Sequence, residues 1–126
     1  MSPVLWQRVE SVAIALAAVA VTVLGFGYQW WWLLALFLVF DISAVGYVAG
    51  PRVGAALYNA GHSYVAPVLC GAVFAFTGAD WLMVAALAWA FHIAVDRALG
   101  YGLKETDDFQ HTHLGWIGRR RDSARR

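Results

Sequence analysis

The chain has 126 residues, of which 61% are hydrophobic and 13% charged, with a net charge of +1. Soluble domains carry about 25% charged residues, so the composition excludes an ordinary soluble enzyme and speaks against a nucleic-acid-binding module. It requires a protein embedded in lipid. A spanning helix takes about 20 apolar residues, so this length holds four spans, short loops and a tail, without a separate soluble domain.

The first apolar run gives a helix from about Trp6 to Phe26, ending in the glycine-broken turn Gly25-Phe26-Gly27-Tyr28. Ala18-Val19-Ala20 has the small-x-small form of a signal cleavage site. Cleavage there leaves too short an apolar region after Glu10, so the run is read as a retained helix. It is rich in alanine and valine, offers no polar group expected to be buried, and reads as scaffold or as a contact in a homo-oligomer. The second helix runs from about Trp30 to Ala49 and stops at Gly50-Pro51, where proline cannot continue the hydrogen bonding. Gly46, Gly50 and Gly54 recur at a spacing that lets helix backbones approach closely in lipid.

The third helix runs from about Arg52 to Phe76. Within it Pro67 removes a backbone bond to the carbonyl of Ser63, and irregular backbone at membrane depth belongs where it is buried or lines a cavity. After the turn Thr77-Gly78-Ala79-Asp80, Asp80 is the expected N-cap of a fourth helix reaching about Leu99. The spacing of Phe109, Leu114, Trp116 and Ile117 predicts a short amphipathic segment on the membrane surface. The fold class is therefore an all-α membrane protein. Residues 1–118 form one four-helix transmembrane domain with an interfacial segment, and 119–126 form a basic tail that meets anionic headgroups. Cys70 stands alone in an apolar run, so no intramolecular disulfide is available.

Orientation follows from the basic residues. With both termini cytoplasmic, Arg8, Arg52, Arg97, Lys104 and the terminal arginines all lie inside, and the outer turns carry no Lys or Arg. Trp30, Trp31, Trp32 and Trp81 then form an aromatic belt at the outer interface. The expected location is a multi-pass position in a bacterial inner membrane.

Four ionisable residues interrupt the apolar runs: Asp41, His62, His92 and Asp96. Charged groups at that depth cost several kcal/mol unless paired or hydrated, and default to a functional reading. Asp41 lies eleven residues before Arg52, His62 ten after it, and His92 and Asp96 lie twelve and eight before Lys104. At 1.5 Å per residue these offsets put all four roughly 12–18 Å from the inner boundary. His92 and Asp96 are i and i+4 on one face. Tyr58, Asn59 and Ser63 add polar groups beside His62.

Two imidazoles and two carboxylates suit a divalent transition metal, zinc first, with a position left for water. His62, His92 and Asp96 are the candidate metal ligands, and Asp41 and Asp96 the candidate catalytic carboxylates. Tyr58, Asn59, Ser63, Arg97 and His113 are the candidate supporting or substrate-binding residues. His111 and His113 form an H-x-H pair that can fold back over the cavity mouth. Competing readings remain. His92 and Asp96 can be a satisfied intrahelical pair, Asp41 and His62 interhelical glue, and Arg97 a snorkelling side chain. Function divides accordingly between a metal-dependent hydrolase acting on a lipid or amphiphile, a small dimeric transporter, and a non-catalytic membrane subunit.

The string from Phe91-His92 through Asp96-Arg97 to Gly100-Tyr101-Gly102-Leu103-Lys104, with Thr112-His113-Leu114-Gly115 downstream, resembles a family of small bacterial membrane proteins known as domain of unknown function number 4260. Asp41 to Gly46-Tyr47, Gly50-Pro51-Arg52, and Tyr58-Asn59 to His62 fit the same pattern, so the likeness covers Trp31 to Gly118. The resemblance implies a small multi-span membrane protein and brings no activity with it. The likeness to membrane-embedded metal-dependent lipid hydrolases is one of residue types alone and carries over no residue role.

Overall fold

The computed structural model describes residues 1–118; the basic residues 119–126, expected to touch lipid headgroups, lie outside the described residues. Four helical stretches are long and apolar enough to cross a membrane: Pro3–Gly25, Trp32–Ala49, Pro51–Thr77 and Asp80–Leu99. The first is α1. Pro3 opens it, where a missing N–H costs nothing, and the Ser2 hydroxyl accepts from the amide of Leu5 at 3.2 Å. Its last turn, Val21–Gly25, widens to a π-turn. Contrary to the sequence expectation, α1 buries two polar side chains. Ser11 and Thr22 donate to the carbonyls of Gln7 and Ala18, four residues back, and so satisfy themselves within the helix.

The second span is α2, Trp32–Ala49. After one α-turn it tightens to 3₁₀ winding over Phe37–Ala49. In that winding side chains three apart eclipse one another. Phe37, Phe40, Ser43 and Gly46 thus line one inward edge, and Asp41, Ala44 and Tyr47 the next. Gly50, at φ +108°, makes the corner; it is a turn residue and not, as its spacing suggested, part of the packing stripe. Gly46 and Gly54 are the close approaches. A Cβ on Gly46 would meet Leu57 at 2.8 Å, and one on Gly54 would run into the Tyr47 ring.

The third span is broken and not merely kinked. It consists of α3, Pro51–Gly61, and α4, Val65–Thr77, with an irregular stretch over residues 62–64. Pro67 cannot donate to Ser63, so helical bonding fails just before it. The fourth span, α5, runs Asp80–Leu99 and ends at Gly100 in the left-handed region. Ala79, not Asp80, is the cap residue. The Asp80 carboxylate accepts instead from the Tyr28 hydroxyl at 2.6 Å, tying the two turns distant from the termini. Burial first, then this bond and the aspartate charge, push Tyr28 up to about 12.

α5 is the central helix, packed on α1, α2 and α4, while α2 and α3 form a second close pair. Arg8 donates to the Ala98 carbonyl at 2.9 Å, so α1 begins where α5 ends. The interior is built from small residues, Ala55, Ala88 and Ala94, which bring the helices close around the imidazoles of His62 and His92. Large apolar side chains face outward, Val48 and Phe76 at 91% and 92% exposure, as lipid-facing positions require. Trp30, Trp31, Trp32 and Trp81 are exposed at the end away from the termini.

Beyond α5 the chain turns back as a two-stranded antiparallel hairpin, β1 His111–Thr112 and β2 Gly115–Trp116, with a bridge from Thr112 to Lys104. The amide of Leu103 donates to Nδ1 of His113 at 2.8 Å, and that of His113 to the Leu103 carbonyl at 3.0 Å. Strands of two residues are too short to leave a periodic pattern, which is why the sequence does not announce them.

Candidate metal centre

The break between α3 and α4 leaves backbone carbonyls without helical partners, and α5 supplies them. Trp89 Nε1 donates to the Gly61 carbonyl at 2.6 Å, and Arg97 donates to that of His62 at 3.3 Å. Arg97 also lies 4.7 Å over the Tyr64 ring, so it holds the break and does not snorkel outward. Trp89, His92 and Asp96 follow one another at i, i+3 and i+7, one helical face. The contacts that close the broken span therefore aim His92 and Asp96 at His62.

Ligand atoms of Asp41, His62, His92 and Asp96 all lie within 4.8 Å of one another. Nε2 of His62 and Nε2 of His92 are 3.0 Å apart. Oδ1 of Asp41 stands 3.5 Å from the first and 3.4 Å from the second; Oδ2 of Asp96 stands 3.5 and 3.3 Å away. The imidazoles are sealed, at 4% and 1% side-chain exposure. Asp96 is 15% exposed and Asp41 45%.

The surroundings fix the rings. Tyr58 stacks on His62 with centroids 3.8 Å apart and planes 7° from parallel. Phe37 and Phe40, from the inward 3₁₀ edge, flank His92 at 4.5 and 5.7 Å. Nδ1 of His62 is 3.0 Å from the Tyr58 carbonyl. A carbonyl only accepts, so this nitrogen carries the proton and the neutral ring presents a bare Nε2 lone pair to the cluster. The Ser43 hydroxyl lies 3.3 Å from the same nitrogen. Nδ1 of His92 is buried and makes no hydrogen bond of good geometry.

A cavity of about 390 Å³ borders the cluster, walled by Asp41, Asp96, Ala44 and Tyr58 on the helices and by Tyr101, Lys104 and Phe109 in the returning tail. Asn59 joins the two walls. Its side-chain oxygen accepts from the Lys104 amide at 2.6 Å, and its amide group donates to the Lys104 carbonyl at 2.9 Å, replacing a missing strand partner.

Of the supporting candidates, Tyr58, Asn59 and Arg97 thus act on the rings, the tail and the break. Ser63 does not join them: it is turned away, with one long contact to the Ala60 carbonyl at 3.5 Å. His113 positions Leu103 and is not in the cluster. Burial, then the charge of Arg97, holds it below the usual histidine range. His111 pairs with Asp107 at 2.8 Å and stacks on Trp116. The residues that sequence reasoning missed are Ser43, Trp89, the two phenylalanines and Lys104. Only the last left a signal, as the single lysine beside eight arginines.

Fold and site together define a multi-pass helical membrane protein with a His/Asp cluster whose imidazoles are buried. The chain belongs to the family described as domain of unknown function (DUF4260), whose family model matches residues 4–117. No curated protein and no solved structure matches it.

Proposed function

We propose that the cluster is a divalent-metal site, zinc the first candidate, and that the protein is a metal-dependent membrane hydrolase acting on a lipid or other amphiphile. One observation carries this reading. Donors about 2.0–2.2 Å from a tetrahedral zinc ion stand about 3.3–3.6 Å from each other, and the histidine–carboxylate separations here are 3.3–3.5 Å. A plain His–Asp hydrogen bond would draw one histidine–carboxylate pair shorter and leave the rest apart; these four are even, and the two Nε2 atoms, 3.0 Å apart, would open by a few tenths of an ångström around the ion.

The exposures divide the roles. His62, His92 and Asp96, the well-buried donors, hold the ion. Asp41, half-exposed at the cavity, is the general base. A bound divalent cation lowers the pKa of water and polarises a carbonyl or phosphoryl oxygen. Asp41 takes the proton as the water oxygen bonds the electrophilic carbon or phosphorus. It returns that proton to the departing oxygen, so one water is added across one ester bond. The basic residues Arg8, Arg52, Arg97 and Lys104 support an orientation with both termini and this cavity toward the cytoplasm of a bacterial cell.

Metal analysis of detergent-purified protein tests the reading. About one equivalent of metal is expected, lost in His62→Ala and His92→Ala. Asp41→Asn keeps the metal and loses hydrolysis of a chromogenic ester. Metal-free protein at neutral pH, with melting unmoved by zinc or chelator, would leave a hydrogen-bonded polar core and overturn the proposal.

A further inference from the structure

Lys104 is 95% buried by its 5% exposure, yet among the described residues its ammonium makes no hydrogen bond and no ion pair. It lies 4.0 Å over the Phe109 ring and 5.0 Å over that of Tyr58, on the wall of the cavity that borders the cluster. An ammonium largely withdrawn from bulk water keeps three donors to satisfy, and ring faces offset only part of that cost. The backbone is not free to carry it outward, because Asn59 and Thr112 both hold Lys104 in place. Burial lowers its affinity for a proton, with Asp96 and Asp108 opposing at longer range. The remaining lining is the apolar Ala44 and Ile117 with Tyr101 and Gln110, and on the side of the cluster the carboxylates of Asp41 and Asp96.

A fixed cation, two aromatic faces and an apolar wall in about 390 Å³ describe a ligand with a charged group and a hydrocarbon body. We propose that the cavity binds an amphiphile bearing a carboxylate or phosphate group, and that this anion seats on the Lys104 ammonium between Tyr58 and Phe109. This names the substrate class for the hydrolase reading and rests on that reading only for what becomes of the bound molecule; binding itself needs no metal.

The single lysine makes the test selective. Full-length protein labelled with ¹³C at lysine Cε gives one lysine signal, followed in neutral detergent during titration with dodecyl phosphate, dodecanoate, dodecanol and inorganic phosphate. A saturable shift with dodecyl phosphate or dodecanoate, weak or absent with dodecanol, is expected. In equilibrium dialysis Lys104→Met weakens binding of the effective amphiphile by about 10–100-fold, the range for a hydrogen bond to a charged group, and Lys104→Arg restores most of it. Equal binding of inorganic phosphate would overturn the amphiphile in favour of a free-anion site. Equal binding of dodecanol, or no loss in Lys104→Met, would overturn the role of the cation. Repeating the titration with chelator and with His92→Ala separates the two proposals, because binding persists there even if the metal reading fails.

Discussion

Replacing Asn59 with alanine removes the clasp between α3 and the tail without touching the His/Asp cluster. The side chain makes two hydrogen bonds to the backbone of Lys104, at 2.6 and 2.9 Å. Both Lys104 groups lie in a buried residue, and each group left unpaired costs about 1–3 kcal/mol. The pair together is therefore worth about 2–6 kcal/mol of tail docking. At 1.4 kcal/mol per factor of ten, the undocked population rises about 30- to 20,000-fold. Trypsin reads this directly, since cleavage after the buried Lys104 tracks the open population when closing is fast. Asn59→Asp keeps the acceptor for the Lys104 amide and loses the donor, so its increase falls between wild type and Asn59→Ala. Cleavage after Lys104 at the wild-type rate in a helical, folded Asn59→Ala protein would refute the argument.

Two further outcomes follow from the same contacts. His113 accepts from Leu103 and has its proton affinity lowered by burial and Arg97, so the folded tail binds fewer protons than the undocked one and loses stability as pH falls from the ordinary histidine range near 6.5 toward the folded value; cleavage after Lys104 rises over that window in wild type, and a pH response unchanged in His113→Leu would contradict this. Gly54→Ala drives a Cβ into the Tyr47 ring, so α2 and α3 must separate at a cost of about 1–3 kcal/mol; a clear drop in melting temperature in detergent is expected, and an unchanged one would show that the ring swings aside freely.

The convergence of the four ionisable residues was legible in the sequence because lipid makes such residues conspicuous and because depth can be counted along a helix. Asp41, His62, His92 and Asp96 needed only that arithmetic. What surrounds them was not legible, for three physical reasons. The 3₁₀ winding of α2 replaces the helical period with three, so the grouping of Phe37, Phe40 and Ser43 toward the imidazoles does not follow from α-helical spacing. The break at residues 62–64 ends the helical period at Ser63, which meets only the Ala60 carbonyl, while Trp89 and Arg97 bond the carbonyls that the break frees. The tail's return depends on side chains replacing backbone partners, Asn59 for Lys104 and His113 for Leu103. Pairings across 45 and 10 residues carry no local signature. Lys104, read only as a marker of the membrane boundary, sits for that reason in the cavity wall.

X-ray absorption at the zinc edge, on zinc-loaded protein in detergent, tests the metal centre most directly. The account predicts four nitrogen or oxygen donors at about 2.0–2.2 Å, with the outer-shell scattering of two imidazoles in wild type and no retained zinc in His62→Ala. A sulfur donor near 2.3 Å, a shell of water without imidazole, or failure to take up zinc at neutral pH would contradict it.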